Sequence, residues 1–230
     1  MSELAAAPGS GRELRAAALD FGERARLELG HMAERVDQML ADVPEAFIKR
    51  NFRDVSQCHD QVVVLREAVL QYLQHVGREN LTTAESDELA QLVAATGEIE
   101  SISAVISHEL MPLAGVFRDK DITASEATGA LLEKLYAATR EAARAGLCAI
   151  VDKNERAAQD VVARHDEVWT LGNKLLQQQA ARLAKDDPQR LLKHRVQVDL
   201  LDKMRRIYGV AERMAISVLP RGVLAGELAA

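Results

Sequence analysis

Apolar residues recur at steps of three and four along most of the chain, which is the spacing of amphipathic helices. In the clearest run these steps alternate strictly, through Val55, Cys58, Val62, Leu65, Val69, Tyr72 and Val76. An alternating run of this kind is a heptad repeat, and it is typical of helices in an antiparallel bundle. Similar runs before and after it predict an all-α protein of six long helices.

The ends of the first three helices are predicted from proline, glycine and capping residues. The first begins near Gly11, and we expect Pro44 to break it. The second stops near Gly77, because glycine is favoured just after the end of a helix. Thr82 and Glu85 then have the spacing of a capping box for the third helix.

The remaining three helices are bounded in the same way. Ser125 is suited to cap the fourth helix, which is rich in small residues over 137–149, so neighbouring helices should approach it closely. The fifth helix is predicted over 152–183. Two aspartates followed by Pro188 then predict the start of the sixth helix.

The six helices form two similar sets of three. His59 in the second helix corresponds to His165 in the fifth at a shift of 106 residues, and each is followed by an aspartate. Ile102 corresponds to Ile207 in the third and sixth helices at a shift of 105 residues. A repeated unit that cannot bury its apolar face alone explains such a match.

The predicted organisation is therefore two tandem antiparallel three-helix bundles that pack side by side. They span residues 12–117 and 118–220, between a flexible segment at 1–11 and a tail at 221–230. No apolar run approaches the roughly 20 residues that a membrane-spanning helix needs. We therefore expect this part of the chain to be cytoplasmic.

Composition narrows the function classes. The 230 residues carry a formal net charge of −6, which argues against a general nucleic-acid binder. The two cysteines, Cys58 and Cys148, are far apart in sequence and form no CxxC pair, so they indicate buried thiols in a reducing compartment. The sequence contains no Walker, GxGxxG, GxSxG or HExxH motif, and we expect no enzymatic activity.

Motifs in the second and third helices of each set resemble those of PhoU proteins and of the related C-terminal cytoplasmic region of bacterial sodium/phosphate cotransporters. The matching residues are Asp60, Val62 and Leu65, then Asp166, Val168 and Leu171, and the stretches 98–104 and 204–210. The resemblance covers about residues 15–219 and is closest to the cotransporter branch.

The resemblance implies a tandem three-helix fold and a regulatory role in phosphate transport. The expected partner is a membrane phosphate transporter domain, in cis or in trans, or another phosphate-signalling protein. With such a partner, contact at the inner face of the membrane is expected. The oligomeric state is left open, with a homodimer as one alternative, because exposed apolar seams in such bundles often pair.

Metal-binding members of the PhoU family hold iron or zinc through acids spaced E/D-x-x-x-D in the third helix. Here Glu100 is present but Ala104 stands where the aspartate would be, and Arg205 and Gly209 replace both acids in the second set. An arginine cannot coordinate a cation. The resemblance therefore implies the fold without the metal site, and we expect no cofactor.

A metal-binding bundle that holds a divalent or ferric ion is the alternative. The residues that could contribute are Glu98, Glu100, His59, Asp60, His165 and Asp166, with the single ExxH spacing of Glu28 and His31. The other interpretation of the His-Asp pairs is that adjacent residues point about 100° apart on a helix, so each pair is divided between the bundle and its rim. A helical adaptor unrelated to phosphate is a further alternative, because fold alone does not specify function.

The sixth helix carries a predicted contact surface for anions or a partner. Its residues are Arg195, Lys203, Arg205, Arg206 and Arg213. Phospholipid head groups, phosphate or an acidic helix would suit these side chains. The alternative is a solvated face that pairs with the acids of the second and third helices.

Overall fold

The computed structural model describes residues 11–49, 53–182 and 190–220. Within these ranges the chain forms six helices, and the predicted all-α class is confirmed. They are α1 (Gly11–Lys49), α2 (Arg53–Val76), α3 (Thr83–Val105, continued by a π-helical turn, Ile106–Leu110, and by Met111–Asp119), α4 (Glu126–Asp152), α5 (Glu155–Ala163 and His165–Arg182) and α6 (Arg190–Val218).

Helices α1–α3 form the first half of the molecule and α4–α6 the second half. Among the described residues, α2 packs only on its own half, and so does α5. The two halves meet through α1 and α3 on one side and α4 and α6 on the other. One continuous core of buried apolar residues runs through both halves.

The predicted apolar positions form this core. In α1 the side chains of Leu29, Met32, Val36 and Met39 are fully buried. The heptad residues of α2 are buried or half-buried. The repeat-related Ile102 and Ile207 are both completely buried, on the third helix of each half.

The capping prediction for α3 is confirmed. The Thr82 side chain accepts a hydrogen bond from the Glu85 backbone, and the Glu85 carboxylate accepts one from the Thr82 backbone. Ser125 likewise caps α4. Residues 1–10, 183–189 and 221–230, which include the predicted flexible segment, the Pro188 start signal and the tail, lie outside the described residues.

The expected break at Pro44 is wrong, because α1 continues through it. A proline inside a helix has no N–H to donate to the carbonyl four residues earlier, which here belongs to Leu40. The Tyr136 hydroxyl of α4 donates to that carbonyl instead. The lost backbone bond is thus replaced by a contact between the two halves.

Near its end the third helix contains a π-helical turn. Pro112 cannot donate to the carbonyl of His108, and the backbone N–H of Met111 reaches back five residues to Ile106. The helix then runs on to Asp119, two residues beyond the predicted domain boundary. The wider turn contains His108 and Glu109, whose side chains contribute to the site described below.

The predicted continuous fifth helix is wrong at two places. Helix α4 extends to Asp152, where Lys153 takes a left-handed conformation with a φ of 52° and ends the helix. The Asn154 side chain then caps α5 by accepting from the Ala157 backbone. A second interruption lies at Arg164, between the two segments of α5.

The small residues of α4 allow α6 to approach closely, as predicted. A Cβ atom built on Gly146 would lie 3.0 Å from backbone atoms of Ala211. A side chain at this position would force the backbone of Ala211 to shift by a few tenths of an ångström, so the position favours glycine. Helices α4 and α6 therefore pack backbone against backbone at the centre of the second half.

One helix of the described residues, Thr83–Asp119, is long and apolar enough to cross a membrane by length and composition, with a mean hydropathy of 1.3 in its best window. This corrects the expectation that no segment reaches that length. Between residues 90 and 107 the only charged residues are Glu98 and Glu100, and the others are apolar or neutral polar. The core helix of a soluble protein passes the same test, so a single such helix is weak evidence.

Candidate functional site

The first candidate site lies between α2 and α3 and is centred on His59. This histidine is only 7% exposed, and its Nδ1 lies 2.5 Å from the hydroxyl oxygen of Ser103. The His108 ring meets it edge-on, with the ring centroids 4.6 Å apart. Burial, helped by His108, lowers the pKa of His59, so its imidazole is neutral near pH 7.

The acidic candidates around His59 do not converge on it. Asp60 is exposed on the outer face of α2, and Glu100 is half-buried on α3. No group of three or more His, Cys, Asp or Glu side chains in the described part of the chain is placed to hold a metal ion. His59 and Asp60 thus separate between the bundle and its rim, as adjacent helical residues do.

The second candidate site occupies the corresponding place between α5 and α6. The His165 ring is stacked on the Trp169 ring, with centroids 4.7 Å apart and planes 15° apart. Its Nδ1 lies 2.9 Å from a carboxylate oxygen of Glu212. Tyr208 packs edge-on against both rings, and its hydroxyl donates to the carbonyl of Val161 at 3.0 Å.

Arg205 extends this stack of aromatic residues. Its guanidinium carbon lies 5.0 Å from the centroid of the Trp169 ring, a cation–π geometry, and it donates to Asn173 at 3.0 Å. Gly172 makes room for it, because a Cβ there would lie 2.7 Å from a guanidinium nitrogen of Arg205. Arg205 is therefore itself built into the second site.

A charged strip on α3 and α6 joins the two candidate sites across the contact between the halves. Arg213 donates to both carboxylate oxygens of Glu98, at 2.8 and 2.7 Å. Glu109 of the π turn pairs with Lys203 at 3.0 Å and with Arg206. Residue numbers rise along α3 as they fall along α6, so these two helices run antiparallel.

The predicted contact surface on the sixth helix is thus divided. Lys203, Arg206 and Arg213 pair with acids of the third helix, while Arg205 lies on Trp169. Arg195 is the most exposed of the set, its side chain being 82% exposed, and Asp199 lies 3.9 Å away on the same helix. The alternative interpretation, pairing with helix-three acids, describes three of the five residues.

Several residues of the two sites were missing from the sequence prediction. Ser103, His108 and Glu109 touch partners more than 40 positions away in sequence, and helix periodicity does not reveal such pairs. Trp169 did carry a usable signal. It is the only tryptophan of the chain and lies four residues after His165, a spacing at which helical side chains meet.

The chemistry of the sites is that of paired groups. Burial raises the pKa of the Cys58 thiol, which keeps it protonated beside His59. Hydrogen bonding to Glu98 raises the pKa of Arg213, which remains charged. The arrangement fixes helices against one another and presents one aromatic stack, 38% exposed at Trp169, to solvent.

No protein-family model matches the sequence, and no curated protein matches it. Among solved structures the fold is similar to that of PhoU from Pseudomonas aeruginosa, with a TM-score of 0.76. The similarity covers 88% of this chain and 96% of that chain, and 15% of the residues are identical. The fold is therefore PhoU-like over nearly the whole molecule.

Proposed function

We propose that this PhoU-like protein is a non-enzymatic regulator of phosphate transport that acts through contact with other proteins. The observation that carries the proposal is the extent of the structural likeness. It takes in both halves and 96% of the chain of PhoU, so it reaches well beyond a single three-helix unit. Helical bundles are common, but a match over two packed repeats is more specific than one over one bundle.

The state of the polar groups supports a role without catalysis. His59 is bonded to Ser103, His165 lies against Glu212, and both described thiols have a raised pKa through burial. A nucleophile or general base must be within reach of a substrate, whereas His59 and Ser103 are only 7% and 0% exposed. The paired groups instead suit a scaffold that holds its helices in register.

The function we propose also operates without a metal cofactor. In the second half, Arg205 and Gly209 occupy the positions of the family acids, and the guanidinium of Arg205 lies on Trp169. In the first half Ala104 leaves Glu100 without its companion acid, while Glu98 is bound to Arg213. A cation placed there would meet positive charge and too few oxygen ligands.

The partner in this proposal is a membrane phosphate transporter, with a sodium-dependent phosphate symporter as the first candidate, in cis or in trans. The protein would then act at the cytoplasmic face of the membrane. A second copy of the chain, forming a homodimer, would be compatible with such a complex. The sequence resemblance to the cotransporter-associated branch supports this choice of partner.

The test is to delete the coding region and measure phosphate uptake over a range of external phosphate concentrations. We expect uptake at high phosphate to lose its normal restraint, and the intact gene supplied in trans to restore it. Unchanged uptake together with unchanged repression would reject the proposal. Elemental analysis of untagged protein separates the metal-binding alternative, because stoichiometric iron, zinc or manganese would support that class instead.

A further inference from the structure

We propose that a groove between α1 and α4, here called the α1–α4 groove, binds a basic amphipathic helix of a partner protein. Its floor and walls come from Leu27, Gly30 and Glu34 of α1 and from Leu147, Val151 and Asp152 of α4. The inference deepens the proposed function by assigning a surface and a partner chemistry. It concerns a part of the molecule that the two candidate sites do not use.

The groove is continuous along the line where the two halves meet. It consists of two adjoining depressions of about 560 and 230 Å³ that share Gly30, Glu34, Val151 and Asp152. Along α1 it extends over the 15 residues from Glu23 to Asp37, whose 14 helical steps correspond to about 21 Å. A partner helix of about four turns matches this length.

The apolar part of the groove is open to solvent. Leu27 is 63% exposed, although it lies on the core-building helix α1, where the neighbouring Leu29 is fully buried. Gly30 has no side chain, and a Cβ built there would lie 3.8 Å from Val151, so the groove remains open at its centre. Partner helices bind such surfaces by laying an apolar face against them.

The charge of the groove favours a basic partner. Arg26 and Lys153 both bind one oxygen of Glu88, at 2.7 and 2.9 Å, and Arg144 pairs with Asp37 at 3.1 Å. Arg26 and Lys153 share the single charge of Glu88, and Asp37 offsets Arg144, so these three cations retain one positive charge. This pairing also lowers the pKa of Glu88, chiefly through its hydrogen bond with Arg26, so that carboxylate stays ionised.

The carboxylates on the rim keep their charge available. Glu23 and Asp152 form no salt bridge within the described part of the chain, and Glu34, whose side chain is 67% exposed, has only the adjacent Arg35 at 3.8 Å. The net charge of the groove is negative, which suits lysine and arginine and disfavours an anionic phospholipid surface. A protein segment is therefore the occupant that this surface fits.

The experiment uses the purified full-length protein and a fluorescent 14-residue helical peptide made of leucine, alanine and lysine. Binding is followed by fluorescence anisotropy at physiological salt, beside a peptide in which glutamate replaces lysine. We expect the lysine peptide to bind and Leu27→Glu or Glu34→Lys to weaken its affinity about tenfold or more. Glu34→Lys should in addition strengthen binding of the glutamate peptide, a gain that a folding defect would not produce.

The matched controls are Val64→Glu, at a 69% exposed valine of α2, and Glu133→Lys, at an exposed acid of α4. Both should bind the lysine peptide within about twofold of the original protein. The inference is overturned if neither peptide binds, if the control variants lose as much as the groove variants, or if phosphatidylglycerol vesicles bind through Glu34 and Leu27. This assay needs no transporter. A negative binding result would therefore not change the uptake result, and a negative uptake result would not change the binding result.

Discussion

The two candidate sites occupy the same place in a repeated scaffold and have become different environments. In the first half His59 is buried and bonded to Ser103. In the second half His165 is half-buried and stacked on Trp169 beside Tyr208. The order of the helices is shared, but α5 is interrupted at Arg164 directly before His165 whereas α2 is continuous through His59, and the side chains that face each histidine also differ.

The two aromatic residues that contact His165 have smaller counterparts in the first repeat. At the shifts of 106 and 105 residues, Val63 corresponds to Trp169 and Ser103 corresponds to Tyr208. Small residues let the first histidine enter the bundle, whereas large rings hold the second at its rim. A repeated scaffold can therefore keep a histidine at the same position while the exposure of that histidine to solvent differs between the two copies.

The largest effect is expected where the second half is packed most tightly. Gly146→Leu should destabilise the protein by about 3 kcal/mol or more, because its side chain must displace the backbone of Ala211. The measurement is the free energy of unfolding from a urea titration. The control is Gly129→Leu on the same helix, where a Cβ meets nothing within 4 Å. Equal losses in the two variants would show that the close approach of α4 and α6 has no energetic role.

The next effect compares the hydroxyl partners of the two sites. Ser103→Ala leaves the Nδ1 of buried His59 without its partner and should cost about 1–3 kcal/mol. Tyr208→Phe should cost about 1 kcal/mol or less, because the Val161 carbonyl still accepts from the backbone of Arg164. Urea titrations of both variants decide the order, and a larger loss for Tyr208→Phe would contradict the account.

The pH dependence separates the sites further. Because His59 has a lowered pKa in the folded protein, the unfolded chain takes up that proton more readily, and the free energy of unfolding must fall as pH drops through about 6.5. In His59→Gln this fall, measured between pH 7.5 and 5.5, should become smaller. The exposed His75→Gln is the matched control, measured over the same pH range. A steeper fall in His59→Gln would reverse the assignment.

The smallest effect concerns the cation on the second site. Arg205→Gln removes the guanidinium from the Trp169 ring and should cost about 0.5–1 kcal/mol. It should also shift the emission spectrum, since Trp169 is the only tryptophan and reports on this site alone. Glu100→Gln, at the corresponding position of the first half, is expected to leave the emission unchanged. An unaltered spectrum in Arg205→Gln would show that the stack is not formed in solution.

Much of the fold follows from local patterns. Apolar steps of three and four residues locate the helices, and the Thr82–Glu85 capping box fixes the start of α3 because all its contacts are local. Pro44 is the exception. The hydrogen bond that it removes from the Leu40 carbonyl is replaced by one from the Tyr136 hydroxyl of another helix, so α1 does not end there. Local signals do not show which distant group will replace a missing hydrogen bond.

The candidate sites were harder to predict from the sequence for the same reason, because their contacts join residues that are distant in sequence. His59 and His165 stand out as a repeated pair, but whether each is buried depends on Ser103 and Tyr208 of a different helix. From the sequence, the basic residues of α6 were predicted to form one surface. In three dimensions the antiparallel contact with α3 gives Lys203 and Arg213 carboxylate partners, at Glu109 and Glu98.

The most direct test of the proposed regulatory function is phosphate uptake in cells that lack this chain, measured at low and at high external phosphate. The account predicts that uptake at high phosphate rises toward the starved rate, and that the intact chain reverses this change. Uptake and repression that are the same with and without the chain, at both phosphate levels, would contradict it.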